Sequence, residues 1–129
     1  MRIEHFALNV ADPVAMARWY VEHLGMRIAL GSDKPPYGHF LADSAGQVMI
    51  ELYHNPADPI PDYAAQPPAR VHLAFISADP AGDSDRLLAA GAMRVEDVNL
   101  PDGGYIVTLR DPWGLPIQLV RRGVPLLPR

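Results

Sequence analysis

No cysteine occurs among the 129 residues. That excludes disulfides and thiolate chemistry and fits a cytoplasmic setting. Long hydrophobic runs are missing as well; none approaches the roughly 20 apolar residues that a membrane-spanning helix needs. The opening Met1-Arg2-Ile3-Glu4 alternates like a strand and lacks the apolar core of a signal peptide. Basic clusters are also absent, and a formal net charge of −4 offers no attraction to phosphate backbones. Neither nucleic acid nor a membrane is therefore expected as a partner. What is present is ordinary for a globular domain: 49% hydrophobic and 20% charged residues, in a chain long enough to bury one respectable core.

The chain repeats itself. Ile3-Glu4-His5-Phe6-Ala7-Leu8-Asn9 is echoed by Arg70-Val71-His72-Leu73-Ala74-Phe75-Ile76, 67 residues further on. The same register takes Asp12-Pro13 to Asp79-Pro80, Met26-Arg27-Ile28 to Met93-Arg94-Val95, and Ile50-Glu51-Leu52 to Ile117-Gln118-Leu119. One constant register linking separated patches marks two copies of one module.

Local patterns give the module its plan. Residues 2–10 alternate as a strand, with His5, Ala7 and Asn9 on one face and Phe6, Leu8 and Val10 on the other, apolar face, which should meet a helix. Asp12 suits an N-cap and Pro13 the first helical position. Met16, Ala17, Tyr20, Val21 and Leu24 then form a stripe at helical spacing that Gly25 closes. Three strands follow, near 26–31, 37–42 and 47–53. The second copy predicts a strand over 70–78, a helix from about Ala81 to Ala90, and strands near 93–100, 104–110 and 115–121. The fold class is α+β: two tandem βαβββ modules, 1–54 and 70–122, joined by a proline-rich linker over 55–69. Each module alone leaves a sheet face and edges open, so a homodimer is expected.

The repeat superposes His5 on His72 and Glu51 on Gln118. Two imidazoles, a carboxylate and an amide oxygen are a reasonable donor set for a divalent metal. The same four groups could instead form a hydrogen-bonded polar cavity. Around them, Tyr37 and His39 on the third strand, and Tyr105 and Trp113 in the second module, are candidates to line a substrate cavity, and turn packing would also explain the last two. Trp19 and Tyr20 read as sheet-packing residues, His54 as a solvated residue after its strand, and His23 as a cation suited to a helix end.

These residues resemble the vicinal oxygen chelate superfamily, which includes glyoxalase I, bleomycin-binding proteins, methylmalonyl-CoA epimerase and extradiol dioxygenases. The resemblance rests on His5, on Trp19-Tyr20 with Leu24-Gly25-Met26, on Glu51 and on His72 with Leu73-Ala74-Phe75. Asp111-Pro112-Trp113-Gly114 leading into Gln118 completes it. It implies a cup-shaped mixed sheet with one divalent metal (nickel, cobalt, zinc, manganese or iron) in its floor, binding vicinal oxygens of a small molecule. The layout is closest to bacterial-type glyoxalase I. That similarity implies metal ligation by His5, Glu51, His72 and Gln118 and substrate contacts from Asn9 and Asn55. Two positions differ from that family: Gln118 stands where it has a glutamate base, and Asn9 where an arginine would hold a glutathione carboxylate. Gln118 can ligate through its amide oxygen but takes no proton, which leaves Glu51 as the catalytic carboxylate. The activity implied is a metal-dependent lyase or isomerase working through a metal-stabilised enediolate or enolate. The alternatives are a ferrous extradiol-type dioxygenase and a metal-free small-molecule binding protein of the bleomycin-resistance type.

Overall fold

The computed structural model describes residues 1–128. The chain divides into two compact units, Met1–Pro61 and Asp62–Arg129. The first unit contains β1 (His5–Asn9), α1 (Pro13–Leu24), β2 (Arg27–Gly31), β3 (His39–Ala42) and β4 (Met49–Tyr53). The second contains β5 (Leu73–Ile76), α2 (Pro80–Ala89), β6 (Met93–Asn99), β7 (Tyr105–Arg110) and β8 (Pro116–Arg121). Each unit is therefore a βαβββ module, and the α+β fold expected from the repeat is the one observed.

Each module folds into one four-stranded sheet, ordered β1-β4-β3-β2 in the first unit and β5-β8-β7-β6 in the second. The first strand lies parallel to the last, and the remaining pairs are antiparallel. The repeat holds at the level of pairing: Ala7 faces Glu51 in one sheet, and Ala74 faces Gln118 in the other. Both helices start in the same way. Asp12 accepts the amide hydrogen of Ala15, Asp79 accepts that of Gly82, and a proline opens each helix where no intrahelical donor is needed. Gly25 ends α1 in the left-handed region, at φ 66°, a conformation that a side chain disfavours.

One face of each sheet packs on its helix. In the first unit Leu8, Leu41, Ile50 and Leu52 are buried with Met16, Ala17, Trp19 and Tyr20 of α1. In the second, Val107, Leu109, Ile117 and Leu119 are buried with Leu87 of α2. Trp19 and Tyr20 are core residues, as their positions suggest. The stripe is rotated slightly from the expected one: Trp19 joins it, and Val21 is left 36% exposed. Phe6 is 51% exposed and not part of the core expected on that face, because β1 is an edge strand and the chain is buried only at Leu8 and, just beyond the strand, Val10.

The proline-rich segment 55–69 is shared between the units. Its C-terminal part belongs to the second, where a single 3-10 turn over Tyr63–Ala65 is strapped down by Arg110. That guanidinium donates to the carbonyls of Tyr63, Gln66 and Gly114, three acceptors that its planar fork can reach together.

Candidate functional site

Alternation fixes what the other, helix-free face of the first sheet presents. Ala7, Glu51 and Phe40 are direct cross-strand neighbours, so their side chains share that face, and His5 lies two residues before Ala7 on the same side. The His5 ring is held from three directions. Its Nδ1 lies 2.6 Å from a carboxylate oxygen of Glu4, and its Nε2 lies 3.4 Å from Glu51 Oε2. It also meets the Phe40 ring edge to face, with centroids 5.3 Å apart and planes at 88°. His5 and Glu51 are partly shielded yet reachable, with side chains 33% and 23% exposed.

A hydrogen on Nδ1 turned toward Glu4 leaves the Nε2 lone pair facing a carboxylate oxygen. Two acceptors at this distance need a positive species between them, either a second ring proton or a cation. For bonds of about 2.0–2.1 Å, neighbouring donors around a tetrahedral ion stand roughly 3.3 Å apart. The His5–Glu51 spacing therefore suits two adjacent ligands. Pinning the distal ring nitrogen on a carboxylate is also how ligating histidines are commonly oriented.

The second unit carries the repeat's counterparts, His72 and Gln118, each bonded to a different partner. His72 Nδ1 lies 2.7 Å from the carbonyl of Pro68, which leaves Nε2 as the lone-pair atom. The residue is exposed and stands just before β5, not within it as the alternation suggested. Gln118 donates from its amide nitrogen to Thr108 Oγ1 at 3.2 Å, so its carbonyl oxygen is the atom left to accept. Among the described residues, no group of three or more His, Asp and Glu side chains is placed so that it could hold a metal ion.

Asn9 and Asn55 meet each other, in a backbone-fixing arrangement. Asn9 accepts the amide hydrogen of Asn55 at 2.8 Å and donates to the carbonyls of Asn55 and Asp58. The Asn55 side chain accepts from Ala57. His39 lies on the α1 side of its sheet, since it pairs with Leu52, and its Nδ1 is held by the carbonyl of Tyr37 at 2.7 Å. It does not share a face with Glu51. Tyr37 adopts φ 58°, rare for a non-glycine residue. With Ala11, Asp12, Pro13, Val14 and His54 it lines a small cavity of about 170 Å³ at the start of α1. His54 is half-buried, with its Nδ1 tied to the carbonyl of Val10. Tyr105 donates to Asp97 at 2.6 Å, which together with Arg94 holds the Asp97 carboxyl below its usual range. The Trp113 amide donates to buried Asp111 in the β7–β8 turn.

Sequence reasoning missed Glu4, Phe40 and Thr108. Glu4 adjoins His5, but in an extended chain adjacent side chains point apart, which gives no hint of contact. Phe40 and Thr108 become neighbours of Glu51 and Gln118 only through strand register.

Residues 5–120 match the family model of the glyoxalase-like domain, and the chain belongs to that family, within the vicinal oxygen chelate superfamily. No curated protein matches the chain. Among solved structures it is similar to TnmS3, an antibiotic binding protein from Streptomyces sp. CB03234. Identity is 20% and the TM-score 0.72, over 95% of this chain and 96% of that one. A glyoxalase/bleomycin resistance protein from the same Streptomyces strain is 20% identical at a TM-score of 0.67, over 92% and 99%. A member of the glyoxalase/bleomycin resistance protein/dioxygenase superfamily from Sphaerobacter thermophilus DSM 20745 is 16% identical at 0.68, over 93% and 96%. At these identities the likeness speaks for the fold.

Proposed function

We propose that this protein is a divalent-cation-dependent lyase or isomerase of the glyoxalase type, acting on a small molecule that presents two vicinal oxygens. The observation that supports the reading is the His5–Glu51 pair, in which two lone-pair atoms stand 3.4 Å apart with the far side of the ring anchored on Glu4. His5 and Glu51 are the proposed ligands in the first unit. His72 and Gln118, each oriented through its other polar atom, are their proposed counterparts in the second. A bound cation would polarise the substrate oxygens and favour negative charge on them. Glu51 then takes a proton from the carbon beside the carbonyl and returns it to the neighbouring carbon. Gln118 cannot share that role, since an amide accepts no proton at neutral pH. A cytoplasmic, homodimeric protein is part of the same reading.

A metal-free alternative has one specific support: the similar TnmS3 is an antibiotic binding protein. In that reading His5 is a doubly donating imidazolium between Glu4 and Glu51, and the protein sequesters its ligand without chemistry. Melting curves during titration with nickel, cobalt, zinc, manganese or ferrous ion separate the two, on protein purified without chelator or nickel resin. A cation bound to the native state raises the melting temperature as its concentration exceeds Kd. The expected outcome is a rise in the parent and a right-shift of about tenfold or more in cation concentration for His5→Ala. Glu51→Gln should bind the cation weakly and lose turnover. A parent that shifts with none of the five ions overturns the cation reading and leaves the binder.

A further inference from the structure

Cross-strand register sets Leu30, Phe40, Glu51 and Ala7 in one row across β2, β3, β4 and β1. Thus the carboxylate at the centre of the proposed chemistry has an aromatic ring as its neighbour on one side and a leucine beyond it. Adjacent strands are about 4.8 Å apart, so Phe40 lies one strand and Leu30 two strands from Glu51. A ring attached to the carbon whose proton Glu51 moves would reach both. Leu30 is 64% exposed and Phe40 partly exposed, so the surface can be reached. Phe40 is also fixed, because its ring meets His5 edge to face.

The second sheet supplies a control within the same chain. Its corresponding row reads Glu96, Thr108, Gln118 and Ala74, with Gln118 hydrogen-bonded to Thr108. That row is polar and internally satisfied. Of these two corresponding rows, the one that holds the carboxylate is the one with the apolar wall. Packing does not demand it either, since a leucine left mostly in water gains little from burial.

Building on the function proposed above, we infer that Leu30 and Phe40 form a platform for a flat apolar group, so that the substrate is an aryl-bearing vicinal-oxygen compound. Phe40 and Leu30 are then specificity-determining residues. Benzohydroxamate and acetohydroxamate test this directly, being oxygen chelators that differ only in a phenyl against a methyl group. Their affinities for the full chain are measured by calorimetry with and without zinc or nickel. The parent should bind benzohydroxamate at least about tenfold tighter than acetohydroxamate. Leu30→Ser, exposed and clear of His5, should cut that ratio to about threefold or less, through weaker binding of benzohydroxamate. Phe40→Leu should retain more of the preference than Phe40→Ser. If the cation strengthens neither ligand but the phenyl preference persists and falls in the variants, the cation reading fails and the platform stands. The platform is overturned by equal affinities for the two ligands, by no binding of benzohydroxamate under either condition, or by a preference that Leu30→Ser and Phe40→Ser both leave intact.

Discussion

Asn9 shows how a residue singled out for one role can be committed to another. Its amide satisfies one backbone donor and two backbone acceptors of the chain that leaves β4. Removing it strands those groups in a partly buried place, so Asn9→Ala should lower stability by about 1–3 kcal/mol in urea unfolding. A side chain that only touched substrate would leave the unfolding midpoint unmoved. Asp102 makes a similar tie: its carboxylate accepts from the amides of Gly104 and Val124. Those donors hold its carboxyl below the usual carboxylate range. A depressed folded value means that the contribution is complete above pH 4 and lost only as pH falls through the lower folded value. Protection of the Val124 amide, its exchange taken relative to an unstructured amide at the same pH, should therefore hold down to about pH 4 and fall below it. In Asp102→Asn, which has one acceptor oxygen in place of two, protection should be weaker at neutral pH and unchanged through that window. Loss of protection already at pH 5 in the parent would contradict this account.

Element by element, much was legible because the repeat doubles every local signal. Asp12-Pro13 and Asp79-Pro80 cap their helices, and Gly25 ends the first one, as their chemistry requires. Both β-hairpins that precede the last strand turn on an aspartate: Asp43 accepts from Gly46, and Asp111 from Trp113 and Leu115. What could not be read was register. Phe40 faces Glu51 but Thr108 faces Gln118, because the second hairpin is one residue shorter, so the 67-residue offset fails within it. The site inherits that gap. His5, Glu51, His72 and Gln118 stood out by residue type and repeat, whereas Glu4, Phe40 and Thr108 orient or flank them through pairing alone. The Arg110 strap was equally hidden, since its three carbonyl partners carry no side-chain signature. Gly114 makes that strap testable. At φ 89° a Cβ there would lie 2.6 Å from the Ala64 Cβ and 2.8 Å from its backbone. At Gly25, φ 66°, a Cβ meets nothing within 4 Å. Gly25→Ala should then cost only the left-handed strain, about 1 kcal/mol, and Gly114→Ala distinctly more, as the Tyr63–Ala65 turn is pushed away. Equal costs in chemical denaturation would show that the turn yields freely.

At the scale of the whole molecule, the question is what covers the remaining apolar surface. In the second sheet Ile76, Val120, Ile106 and Val98 form a row across β5, β8, β7 and β6 on the face away from α2. Its ends are open, with Ile76 65% and Val98 48% exposed. Edge-to-edge strand pairing is a poor way to cover it, because β6 carries a register shift between Arg94 and Glu96, an irregularity that blunts an edge. Side-chain contact with the same row of a second copy is the arrangement that a twofold axis allows, each patch meeting itself. Light scattering should therefore return twice the 14.1 kDa chain mass at micromolar concentration. Placing a charge at either open end, Ile76→Lys or Val98→Lys, should shift the protein toward the monomer without lowering its unfolding midpoint by more than about 0.5 kcal/mol, since both residues are exposed in the single chain. A parent that scatters as a monomer removes the dimer; a dimer indifferent to both substitutions keeps it and moves the contact to another face.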